Sequence, residues 1–239
     1  MHNLNRFTDR KLQKFNDPLR AIFYEKYRWP LLVTSALSLA LALTLVFEHG
    51  IKPFFLLTGM SILGILYSVQ VIPKSLIPNI RVRGLKEIPG SKTFLVAVAW
   101  AFVTTLIPAW SDSHNLDLST IVVLLFVLLL VFVRNALFDV FDVQGDRIVG
   151  KETLPVCIGK EKTLLVLNIT MLFLLVLLLL MPLFGLMSKA GFWLLPGIIY
   201  IIGLTQLYNR GRMSQGPKLE FCLETVFCLL AGLAWLAVC

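Results

Sequence analysis

The chain has 239 residues, of which 57% are hydrophobic and only 15% charged. Its mean hydropathy of +0.82 lies well outside the range of soluble domains. This composition excludes a soluble globular enzyme and describes an integral membrane protein. The net charge of +8 raises the question of an anionic partner, which the order of the charges along the chain answers below.

Residues 1 to 29 are polar and basic, and NRFTDRKLQKFNDP within them spaces Asn5, Asp9 and Gln13 four apart, a polar stripe on a short helix. Seven apolar runs follow, near residues 30 to 47, 54 to 72, 93 to 110, 118 to 138, 163 to 187, 190 to 208 and 219 to 238. A bilayer core of roughly 30 Å needs about 20 helical residues. Each run is near that length. Runs such as LLVLNITMLFLLVLLLLMPLF show no alternation, so helices rather than barrel strands satisfy the backbone in lipid. The expectation is an all-α polytopic bundle of about seven spans, a single membrane domain over residues 1–239.

The basic residues test that topology. They gather in the N-terminal segment and in residues 73 to 92, 134 to 162 and 209 to 218, leaving only Lys52 and Lys189 of the 22 in the intervening loops. This alternation predicts a cytoplasmic N-terminus and three cytoplasmic loops. The positive charge is then topological, and no nucleic-acid partner is expected, because no basic face with stacking aromatics or recognisable module is present. Cys157, Cys222, Cys228 and Cys239 show no CxxC spacing and His2, His49 and His114 are scattered. Neither set reads as a zinc site.

Acidic residues are scarce, yet FDVFDVQGDR places Asp139, Asp142 and Asp146 together at the predicted cytoplasmic end of the fourth span. If the helix continues at about 100° per residue, these three and Asn135 project within an arc of roughly 60°. Such carboxylates repel one another and sit at the unfavourable end of the helix dipole. A solvated helix end is one explanation. A cation is the other, and Mg²⁺ suits it, being held commonly by one or two carboxylates plus substrate phosphates. On the same side, ILYSVQVIPKSLIPNIRVRGLKEIPGSK supplies Tyr67 and then Lys74, Arg81, Arg83, Lys86 and Lys92. Carboxylates for metal and cations for phosphate oxygens are the two halves of a diphosphate site.

Asp139-x-x-Asp142-x-x-x-Asp146-Arg147, followed by GKETLPVCIG, resembles the second aspartate-rich motif of the UbiA superfamily of intramembrane prenyltransferases. LYSVQVIPKS resembles that family's segment in which a Tyr is followed by a Lys. The resemblance implies a helical bundle around a cavity, with Mg²⁺ holding the diphosphate of an isoprenyl donor whose chain passes to a lipid-soluble, often aromatic, acceptor. It implies Asp139, Asp142, Asp146 and Asp9 as metal ligands, Arg147, Lys151 and Asn5 as diphosphate contacts, and Tyr67 and Lys74 near the reacting centre. The family pattern has about nine spans, with NxxxDxxxD after the second. Here NxxxD begins at Asn5, seven spans follow, and Gln13 stands where a second Asp is usual. The expectation is a short form lacking the first two helices.

Three competing readings differ in what they require. A phosphatidyl-type alcohol phosphotransferase needs a DGxxAR start that is missing here. A transporter places acidic residues near mid-span. A non-catalytic membrane interaction protein of the same fold accounts for Gln13 and the shorter chain. Trp100, Phe102, Phe132 and Phe141 are candidate cavity-lining aromatics, with plain packing as the simpler reading.

Overall fold

The computed structural model describes residues 22, 23, 25–68, 90–111, 116–150, 152–213 and 216–237. Among these residues the secondary structure is helical throughout, with no strand. The helices are α1 (Arg28–Glu48), α2 (Ile51–Ser68), α3 (Ser91–Ser111), α4 (Leu118–Phe141), α5 (Val143–Val149), α6 (Leu154–Ile158), α7 (Lys160–Leu183), α8 (Ala190–Asn209) and α9 (Pro217–Leu236). Six of them, α1, α3, α4, α7, α8 and α9, are long and apolar enough to cross a membrane. The seventh expected span is α2, whose apolar part, Ile51–Ile65, is shorter.

Neighbours in sequence are neighbours in space. The helices α1 to α4 pack in succession, α7 packs on α4, α8 on α7 and α9 on α8. The core lies among the last four long helices. Val133, Leu137 and Val140 of α4 meet Leu167, Met171, Leu174 and Leu178 of α7, Ile198 and Ile201 of α8, and Leu219, Leu223 and Val226 of α9. By contrast α1 buries no residue at all, leaving Trp29, Leu37 and Leu41 exposed. An apolar helix with no buried face is stable only where lipid supplies the surrounding phase.

Local chemistry sets the ends. Asp117 caps α4, its carboxylate accepting the backbone N–H of Thr120 at 2.9 Å and the Thr120 hydroxyl at 2.7 Å. Those hydrogen bonds hold its carboxyl below the ordinary carboxylate range. At the other end of the chain's polar face, α5 closes on Gly150, which adopts φ 71°. A left-handed residue is the usual stop for a helix, and glycine takes that conformation without a Cβ clash. The span predicted for residues 163 to 187 runs instead from Lys160 to Leu183 and stops in a turn at Phe184 and Gly185. Pro182 fits so near the end because the turn begins just beyond it.

Candidate functional site

The start of α3, the end of α4, the start of α7 and the end of α8 meet at one face of the bundle. The Phe141 and Tyr208 rings make an edge contact at 4.9 Å between centroids, and the Lys160 ammonium lies 4.3 Å from the Tyr208 centroid. Gly90, just before α3, donates its N–H to the Glu152 carbonyl at 3.3 Å. A Cβ on Gly90 would come within 2.9 Å of the Leu154 side chain, and its φ of 71° also suits glycine. The segment between α5 and α6 is thereby pinned to the root of α3.

The three aspartates all lie at this face. The helix is interrupted at Asp142 (φ −90°, ψ 6°), whose N–H still donates to the Phe138 carbonyl and whose carbonyl still accepts from the Asp146 N–H, both at 2.9 Å. The three carboxylates differ in environment. Asp142 is exposed, Asp139 is half-buried, and Asp146 is buried, at 3% exposure. Thr93 of α3, itself buried, donates its hydroxyl to Asp139 Oδ2 at 2.5 Å. A hydroxyl donor fixed on one carboxylate oxygen leaves the other oxygen's lone pairs oriented. Arg147, one residue beyond Asp146, is exposed.

Among the described residues no three His, Cys, Asp or Glu side chains converge as a ready-made metal cage. The donors present are carboxylate oxygens distributed along a helix end, a set that matches Mg²⁺ in chemistry, since that ion takes one or two carboxylates and completes its shell with water and phosphate. Asn5, Asp9, Gln13, Lys74, Arg81, Arg83, Lys86 and Lys151 lie outside the described residues, as does the side chain of Tyr67, whose backbone ends α2. Of the candidate aromatics, Phe141 is buried in the core against Tyr208 and Phe138, while Trp100 is 57% exposed.

Two features were not legible as functional from the sequence. Thr93 is 46 residues from Asp139, and nothing local marks its hydroxyl as a carboxylate partner. Arg134, counted by its position among the loop charges, is instead inside α4, where it forms an ion pair with Glu224 of α9. Its Nη1 also donates to Asn135 Oδ1 at 2.8 Å, and its guanidinium lies 4.7 Å from the Phe138 ring centroid. A glutamate seven residues into an apolar helix was the available signal.

With this geometry in place, comparison with family models decides the kinship: the model for the UbiA prenyltransferase family matches residues 2–238. The chain belongs to the UbiA prenyltransferase family. Comparisons with curated proteins and with solved structures found no match. As a UbiA family member the chain is an integral membrane protein of a prenyltransferase type, and its aspartates stand at one end of a helical bundle.

Proposed function

We propose that this UbiA family protein transfers an isoprenyl group from a polyprenyl diphosphate to a lipid-soluble acceptor, with Mg²⁺ held by Asp139, Asp142 and Asp146 at the cytoplasmic face of the membrane. The observation that carries this reading is the end of α4 itself. A helix whose body lies in the apolar core delivers three carboxylates in eight residues to the one face where α3, α7 and α8 also end.

In this reading the chain's residues divide the work. Thr93 holds Asp139 in one orientation, and the burial of Asp146 keeps its carboxylate out of bulk solvent. Arg147, and Lys151 with Lys74 and Asn5, contact diphosphate oxygens, where cations and amide donors form charge-assisted hydrogen bonds. Tyr67, at the end of α2, approaches the same headgroup with Asp9 as a further ligand from the N-terminal segment. When bound, Mg²⁺ neutralises charge on the departing diphosphate. The apolar bundle keeps the prenyl chain from water, which favours transfer over hydrolysis.

The test uses membranes containing the intact chain, radiolabelled isoprenyl diphosphates of several lengths, and identification of any lipid-soluble product with and without EDTA. Asp142→Ala, at an exposed position, and Asp146→Asn, a near-isostere at a buried one, should each lower Mg²⁺-dependent transfer by about 100-fold or more while insertion is retained. Unchanged turnover in both variants would reject the metal assignment.

A further inference from the structure

The start of α7 and the end of α8 touch, since the Lys160 ammonium lies over the Tyr208 ring. Around that contact stand four exposed cations: Lys160 and Lys162 of α7, Arg210 at the end of α8 and Arg212 in the turn beyond it. The turn itself is fixed. Gly211 adopts φ 69°, and the Arg212 N–H donates to the Leu207 carbonyl at 3.0 Å. Among the described residues none of these four cations pairs with a carboxylate.

Two of them lead lipid-facing stripes. At about 100° per residue, Lys162 shares an arc of roughly 80° with Leu165, Ile169 and Leu172, and Arg210 shares one of similar width with Leu207, Gly203 and Ile199. All of these residues are exposed, and a Cβ at Gly203 would meet nothing within 4 Å. On helices as apolar as α7 and α8 such a surface faces acyl chains, and the cation at its end stands at headgroup level. The positive-inside pattern accounts for cations somewhere in these segments. It does not ask that two of them lead the exposed stripes of helices that touch. Nor does helix stability account for Lys162, which sits in the first turn of α7, where the dipole disfavours a cation.

We propose that Lys162 and Arg210, reinforced by Lys160 and Arg212, hold the headgroup of an anionic phospholipid whose chains lie along α7 and α8. Two complementarities set this occupant. Cations without a carboxylate partner favour a phosphate that carries no ammonium of its own, because only such a headgroup brings net negative charge. The apolar stripes beneath favour acyl chains, which a soluble anion or an acidic peptide lacks. The proposal does not rest on the transfer reading above.

The experiment titrates the detergent-solubilised intact chain with palmitoyl-oleoyl phosphatidylglycerol and, separately, with the matching phosphatidylcholine, and reads the lipid-bound fraction by native mass spectrometry. Phosphatidylglycerol should bind about 10-fold tighter than phosphatidylcholine. Lys162→Gln with Arg210→Gln should bring phosphatidylglycerol to within about 2-fold of phosphatidylcholine. The control, Lys26→Gln with Arg28→Gln, removes two exposed cations at the start of α1, which opens from the same end of the bundle, and should leave the preference intact. Equal binding of the two lipids by the wild type, or an equal loss of preference in both double variants, would overturn the site, the second result leaving only the general attraction of a basic membrane face. Displacement of the bound lipid by an equimolar amount of glycerol phosphate would assign a soluble-anion site and overturn the lipid assignment. Mg²⁺-dependent binding of inorganic pyrophosphate should be the same in the wild type and in Lys162→Gln with Arg210→Gln. Its loss in that variant would place these cations in the diphosphate site and likewise overturn the proposal.

Discussion

At the scale of single residues, the hydrogen bond from Thr93 to Asp139 makes a prediction that separates orientation from packing. Thr93→Val preserves volume and removes the donor; Thr93→Ser preserves the donor and removes a methyl group. If Thr93 aims the Asp139 carboxylate, the Val variant should need about 10- to 100-fold more Mg²⁺ for half-maximal transfer, and the Ser variant should need close to the wild-type amount. A Thr93 that serves only to fill space predicts the opposite ranking, because Val keeps the branched side chain that Ser loses. The Mg²⁺ titration of the two variants checks it. The same scale explains why Asp139, Asp142 and Asp146 are not equivalent. On either side of the helix break at Asp142, the Asp142 carboxylate is exposed and that of Asp146, four residues on, is buried.

At the scale of elements, the α8–α9 contact is the tightest place to test packing. A Cβ at Gly197 would come 2.3 Å from Leu230 Cδ2, whereas one at Gly203, on the same helix, meets nothing within 4 Å. Gly197→Val should destabilise the detergent-solubilised protein by about 1–3 kcal/mol, with part of the loss recovered by adding Leu230→Ala. Gly203→Val should leave the thermal transition close to wild type. The long elements were legible in the sequence because lipid imposes both their length and their apolarity, so α4 and α8 fall within a few residues of their predicted runs. The aspartate run was legible for the complementary reason, since three carboxylates in so acid-poor a chain stand out. What could not be read was anything that depends on which helices touch. The Thr93 hydroxyl, the burial of Asp146 and the Arg134–Glu224 pair all arise from residues far apart in the chain. Arg134 reads as a loop charge in sequence because the positive-inside pattern counts cations near span ends without seeing their partners.

At the scale of the whole molecule, the start of α3, the end of α4, the start of α7 and the end of α8 gather at one face. The expected orientation places that face in the cytoplasm, and Cys157 on α6 is a reporter for it, being a free, exposed thiol. In a variant retaining Cys157 as the sole cysteine, a membrane-impermeant maleimide should label inside-out vesicles and leave right-side-out vesicles unlabelled. Labelling of the right-side-out vesicles alone would invert the topology. The architecture also has a mechanical consequence. Gly90 is tied to Glu152 through its N–H and seated against Leu154 where no side chain would fit, three residues before Thr93. The strap that follows the last aspartate is therefore yoked to the root of a different helix. A substitution at Gly90 is therefore expected to disturb the strap beyond the last aspartate as well as the start of α3, two places far apart in the chain that meet at this single seam.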